Sequence, residues 1–135
     1  MLVEGHALAA IPRAGATYRG ALTGSQSSIS ISFRVSANSG SVTGAALSRL
    51  PFYCTGSGPP GARIVFAAAQ ISPRGTFTAA GRDLIPSGPL KGSVVATLTL
   101  TGTFGGGGRE SGTLRTAYGG PAKRCGGHSV YATKA

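Results

Sequence analysis

The sequence predicts an all-β protein, a single-domain antiparallel β-sandwich or small β-barrel of about eight short strands. Three observations carry that expectation. Residues 97–104 read Thr-Leu-Thr-Leu-Thr-Gly-Thr-Phe, run into Gly105–Gly108 and return over Ser111–Tyr118, which specifies a half-buried hairpin. The chain carries 23 Gly and 8 Pro among its 135 residues, a composition suited to many tight turns. Its apolar residues lean on alanine, with 5 Phe and no Trp, which suits short strands around a thin core of small side chains.

The elements follow in order. Residues 1–13 show no clear period and form a loose lead, leaving 14–135 as one β domain. Ala16 to Gly20 is a short strand, and Thr23 to Ser28 a polar loop. Ile29, Ile31, Phe33 and Val35 alternate with polar residues, as a half-buried strand requires. Asn38-Ser39-Gly40 is turn chemistry, and Val42 to Leu50 is a weaker strand stopped by Pro51. Pro59-Pro60 lies in a loop after Cys54. Residues 63–71 are read as a strand on Ile64, Val65 and Phe66, although three alanines favour helix. Thr76 to Ala80 is another short strand, and Arg82 to Gly92 reads as a surface loop. Ser93 to Phe104 is the longest strand, Ser111 to Tyr118 its partner, and Ser129 to Thr133 the last.

Taken together, these strands carry a spaced set of phrases. They are Tyr18-Arg19-Gly20, Ile31-Ser32-Phe33-Arg34-Val35-Ser36, Cys54, Gly75-Thr76-Phe77, Thr101-Gly102-Thr103-Phe104, Ser111-Gly112-Thr113-Leu114, Cys125 and Tyr131-Ala132-Thr133. On them the chain resembles uncharacterised secreted β-rich domains of actinobacteria and related soil bacteria. The resemblance implies an exported, disulfide-linked β domain and brings no established activity. The chain departs from the pattern in its arginine excess and its Pro-rich loop.

Cysteine count points the same way. Cys54 and Cys125 are the only two, and in a small β protein they suit a disulfide in an oxidising compartment. Residues 1–12 lack the charged start and long apolar core of a secretory signal, so an exported form is expected to have lost one. No apolar stretch approaches the length of a membrane helix. The expected location is the medium or cell envelope.

Charge narrows the partners. Thirteen Lys and Arg face three acids, Glu4, Asp83 and Glu110, for a formal net charge of +10. Such a surface attracts polyanions, although scattered arginine also serves solubility. Arg115 and Tyr118, with Lys123 and Arg124 just beyond, are the expected contact cluster for an anionic polymer or envelope glycan. Thr97, Thr99, Thr101 and Thr103 form a row on one strand face, read first as ordinary solvent-facing residues, then as a glycan face, and last as a water-ordering, ice-type surface. Nucleic acid is the second expected partner. The charge suits it and Tyr18, Tyr53, Tyr118 and Tyr131 could stack on bases, but no recognisable reading motif is present.

Catalytic chemistry finds little to work with. Paired-carboxylate hydrolysis needs two acids in one cleft. Asp83 is the one plausible buried acid, expected in a loop, while Glu110 sits beside a glycine turn. His6 and His128 are the only histidine bases, and no nucleophile elbow occurs. A small hydrolase using His128 is the remaining enzymatic alternative. The set Cys54, Cys125, His6 and His128 has the wrong spacing for a zinc finger. No cofactor or metal is expected, and Gly105–Gly108 is a hairpin turn rather than a phosphate loop. The expected function is a non-catalytic binding or structural module.

Overall fold

The computed structural model describes residues 11–52, 63–119 and 125–135. Nine strands are present among them. They are β1 (Thr17–Leu22), β2 (Ser30–Val35), β3 (Ser41–Leu47), β4 (Arg63–Phe66), β5 (Ala69–Gln70), β6 (Thr76–Leu84), β7 (Val94–Phe104), β8 (Arg109–Tyr118) and β9 (Gly127–Lys134). The described residues contain no α-helix; a 3₁₀ turn spans Gly24–Gln26.

All nine belong to one antiparallel sheet in the order β4-β6-β7-β8-β9-β1-β2-β3-β5. The two ends of that list are one run of chain. β4 pairs with β6, then the Ala67 amide donates to Ala80 O (2.9 Å), after which β5 pairs with β3 and the Ile71 amide reaches Gly40 O (2.9 Å). The segment from Arg63 to Ile71 therefore touches both margins of the sheet and draws it into a barrel-like curl. The strands thus form one curled sheet, a half-barrel, within the all-β barrel or sandwich class expected from sequence. Elsewhere the strands meander between neighbours, and β9, the last described strand, returns to pair with β1, the first.

Alternation puts one face of each strand inside. β7 buries Ala96, Leu98, Leu100 and Phe104, and β8 buries Leu114 and Tyr118. Tyr18, Phe33, Phe77 and Phe104 fill one end. Tyr18 stacks on Phe33 with centroids 5.3 Å apart, and Phe104 meets Tyr18 edge-on at 5.2 Å. Each such ring pair adds about 0.5–1.5 kcal/mol beyond its burial. Residues 11–13 close over this end. Pro12 is buried and its carbonyl accepts from Ser39 Oγ (3.3 Å), while the Arg13 amide donates to Tyr18 Oη (3.0 Å).

One boundary differs materially from the sequence reading. The stretch expected as loop from Arg82 begins inside β6, which runs to Leu84 and places Gly81 and Asp83 on the inner face. Glycine and aspartate are poor strand formers, which conceals the alternation. At Gly81 the missing side chain is required, since a Cβ there would lie 2.6 Å from the Phe66 ring.

Candidate anion-binding face

The three acids set the electrostatics. Asp83 and Glu110 both point inward and are buried, and Glu4 lies outside the described residues. No carboxylate side chain among the described residues faces out. Every described arginine is exposed, so among the described residues the outer surface carries positive charge without neighbouring side-chain acids.

Register concentrates part of that charge. On the outer face Arg109 of β8 lies directly opposite Lys134 of β9, and Lys134 lies directly opposite Arg19 of β1. With strands about 4.8 Å apart, three cations occupy a row roughly 10 Å long. Arg19 is in turn opposite Ser32 of β2, and Arg34 stands two residues further along β2 on the same face. Arg13 reaches the other end of the row. Its guanidinium lies over Gly108, where a Cβ would be 2.9 Å from Cζ. Gly108 also has φ +74°, a backbone conformation that selects glycine there. The outcome is five cations over four adjacent strands.

This row opens onto a second feature. Thr97, Thr99, Thr101 and Thr103 are all exposed on β7. Thr103 is flanked by Thr76 and Ser111, and Thr101 by Thr78 and Thr113. Two rows of three hydroxyl residues therefore cross β6, β7 and β8. Ser111 is two residues from Arg109 on one face of β8, so the hydroxyl rows and the cations are continuous.

Of the contact cluster expected from sequence, the two described members lie on opposite faces. Arg115 is exposed, but Tyr118 is three residues away, hence on the opposite face, and is buried with its hydroxyl donating to Pro51 O (3.0 Å). Lys123 and Arg124 lie outside the described residues. Arg115 instead neighbours Thr99 and His128 on the outer wall. The tyrosines offered as base-stacking groups are also turned inward. Tyr18, Tyr118 and Tyr131 are buried, and Tyr53 is outside the described residues. The cation row went unseen in sequence because its members are separated by up to 115 positions, Arg19 to Lys134. Only the pairing of β9 between β8 and β1 makes them neighbours.

The interior holds a polar group that sequence reasoning passed over. Glu110 is buried as Asp83 is, rather than solvated beside its turn. Its Oε2 accepts from Tyr131 Oη (2.5 Å) and its Oε1 from Thr133 Oγ1 (2.6 Å). Burial raises the Glu110 carboxyl above its ordinary value, and the two hydroxyl donors partly offset this. The Tyr131 phenol is pushed far above its usual range, first by burial and then by the adjacent carboxylate.

These positions bear on catalysis. Asp83 is in register with Ala96, and Glu110 with Phe104, at the two ends of β7. Eight residues of strand put them about 25 Å apart, far beyond the reach of a paired-carboxylate mechanism. His128 is exposed on the outer wall, away from both buried acids. Cys125 is half-buried against the core, whereas Cys54 and His6 lie outside the described residues, so neither the disulfide nor the four-residue metal set is traced in full. Among the described residues no group of three or more metal-ligating side chains occurs. A shallow groove of about 270 Å³ opens between Ile11, Pro12, Ser39, Ile71 and Pro73, without an ionisable side chain on its walls. No described helix is long and apolar enough to cross a membrane.

No family model matches the chain, and comparison with curated proteins and with solved structures finds none similar to it. The fold and its outer wall define a small curled β-sheet protein with a cationic exterior.

Proposed function

We propose that this domain is a non-catalytic, exported binding module that holds an anionic polymer on the outer wall of β8, β9, β1 and β2. The observation that carries the reading is the row Arg109–Lys134–Arg19, cations directly opposite one another, with both carboxylate side chains of the described residues, Asp83 and Glu110, buried inside the sheet. Opposed like charges destabilise a sheet. A dense anion relieves that repulsion and releases its own counterions on binding. Export is supported by the resemblance to secreted β domains and by the two cysteines. Nucleic acid shares the charge requirement, but base stacking needs exposed rings, and the described tyrosines are buried.

Retention on immobilised linear polyphosphate across a salt series tests the reading. Retention is expected to fall steeply with salt. Lys134→Glu should weaken binding at low salt by at least about tenfold and flatten the salt slope. Arg49→Glu, outside the row, should change affinity much less. No retention at low salt, or equal losses from the two variants, would refute the assignment.

A further inference from the structure

We infer that the polymer on this wall is an anionic glycan, a sugar chain bearing phosphate, sulfate or carboxylate groups, held by the cation row and the hydroxyl rows together. The inference rests on the polyanion reading above and specifies its ligand. Cations alone recognise any polyanion. What distinguishes this wall is the second set of groups joined to them. Thr103 and Ser111 lie side by side in the nearer row, and Thr101 and Thr113 in the next. Thr76 bonds its hydroxyl to Ser72 (2.7 Å), while Thr78, Thr101, Thr103, Ser111 and Thr113 make no side-chain hydrogen bond to other described residues. Free hydroxyls about 4.8 Å apart across strands and about 7 Å apart along them form a grid on the scale of a sugar ring. Each both donates and accepts, matching the hydroxyls of a sugar and having no counterpart in bare polyphosphate.

The shape of the wall agrees. Next to Ser111 in the same row come Ala132 of β9 and Ala21 of β1, small residues directly below Lys134 and Arg19. The strip beside the cations is therefore open. A chain laid obliquely across the strands places charges on Arg109, Lys134 and Arg19 and hydroxyls over Thr101, Thr103, Ser111 and Thr113. The six most buried aromatic residues (Tyr18, Phe33, Phe77, Phe104, Tyr118 and Tyr131) all face the core, so nucleobases gain no platform from them.

The test compares two probes, sulfated dextran and linear polyphosphate, on the intact domain and on a Thr101→Val/Thr113→Val double variant. Valine keeps the branched shape and strand preference and removes only the hydroxyls. Affinity for sulfated dextran should fall about five- to tenfold, the expected loss of two net hydrogen bonds. Affinity for polyphosphate should stay within about twofold, because charge contacts are unchanged. Thr101→Ser/Thr113→Ser should restore dextran binding. Equal responses from the two probes, or failure of serine to rescue, would overturn the glycan inference while leaving polyanion binding intact. Single-stranded DNA bound as tightly as sulfated dextran by wild type would overturn it too. If wild type binds neither probe, the polyanion reading itself fails, and this inference with it.

Discussion

Tyr131 donates a 2.5 Å hydrogen bond to Glu110 Oε2 inside the curled sheet, and Gly102 on the neighbouring strand leaves the room for it. A Cβ at Gly102 would sit 2.1 Å from that carboxylate oxygen, 2.6 Å from Tyr131 Oη and 2.6 Å from Phe77 Cε1. Three groups cannot all retreat, since Glu110 is also fixed by Thr133 and Phe77 packs on Phe33 and Phe104. Gly102→Ala is therefore expected to cost about 1–3 kcal/mol, the usual range for overpacking a filled core. Equilibrium urea unfolding reads this directly. A neutral or stabilising alanine would show that the Glu110 network does not occupy the space assigned to it.

Glu110 also gives the fold a pH dependence with a definite sign. Its carboxyl is raised above 4.5 by burial, so the folded state binds that proton more tightly than the unfolded chain. The stability this contributes is complete in acid below the unfolded value and is lost as pH rises through the folded one. Glu110→Gln keeps the shape and can bond to both hydroxyls, but does not titrate. Relative to wild type, the glutamine variant should gain stability progressively as pH climbs from about 4.5 towards neutrality. Urea unfolding of both proteins at a series of pH values checks it. A difference that is flat, or that grows in acid, contradicts the assignment.

The strands were readable where alternation is clean and hidden where inward positions are filled by residues that shun strands. In β7 every second residue from Ala96 to Phe104 is inside, and all four threonines between them are exposed, so both faces follow from sequence. In β6 the inward set ends in Gly81 and Asp83, one cleared for Phe66 and one buried polar group, and the period dissolves. Spacing was misjudged at Arg115 and Tyr118. Three residues along a strand reverse the face, so one is solvated and the other is core. Glu110 was read as a turn residue because its hydroxyl partners, Tyr131 and Thr133, are more than twenty positions away. The cation row fails for the same reason, since closure by β9 is a non-local pairing that local pattern does not encode.

The cysteines supply a prediction about the chain's covalent state. Cys125 lies just before β9, half-buried against the core, and β9 pairs with both β8 and β1. We expect it to be joined to Cys54. Closing a loop of roughly 70 residues contributes about 3–5 kcal/mol in the chain-entropy model. Oxidised protein unfolded in denaturant should take up no alkylating reagent, and reduction should lower its unfolding midpoint. Two labelled thiols in air-oxidised material would reject the pairing.

Lys134 separates what the cation row does for the ligand from what it does to the fold. It faces Arg109 on one side and Arg19 on the other, so it meets like charge across both neighbouring strands. Each opposed pair is unfavourable by up to about 1 kcal/mol relative to a neutral pair, and an opposite pair is favourable by a similar amount. Lys134→Glu converts both contacts at once. The variant should be more stable than wild type by roughly 0.5–2 kcal/mol at low ionic strength, a gain that shrinks as salt screens the row. The same change should remove most polyanion affinity, so stability and binding move in opposite directions. Unfolding and binding measured on one preparation at low and high salt test the pair of effects. Loss of both together would mean that Lys134 supports the sheet through packing of its stem, and that the row of cations carries no repulsion for a ligand to relieve.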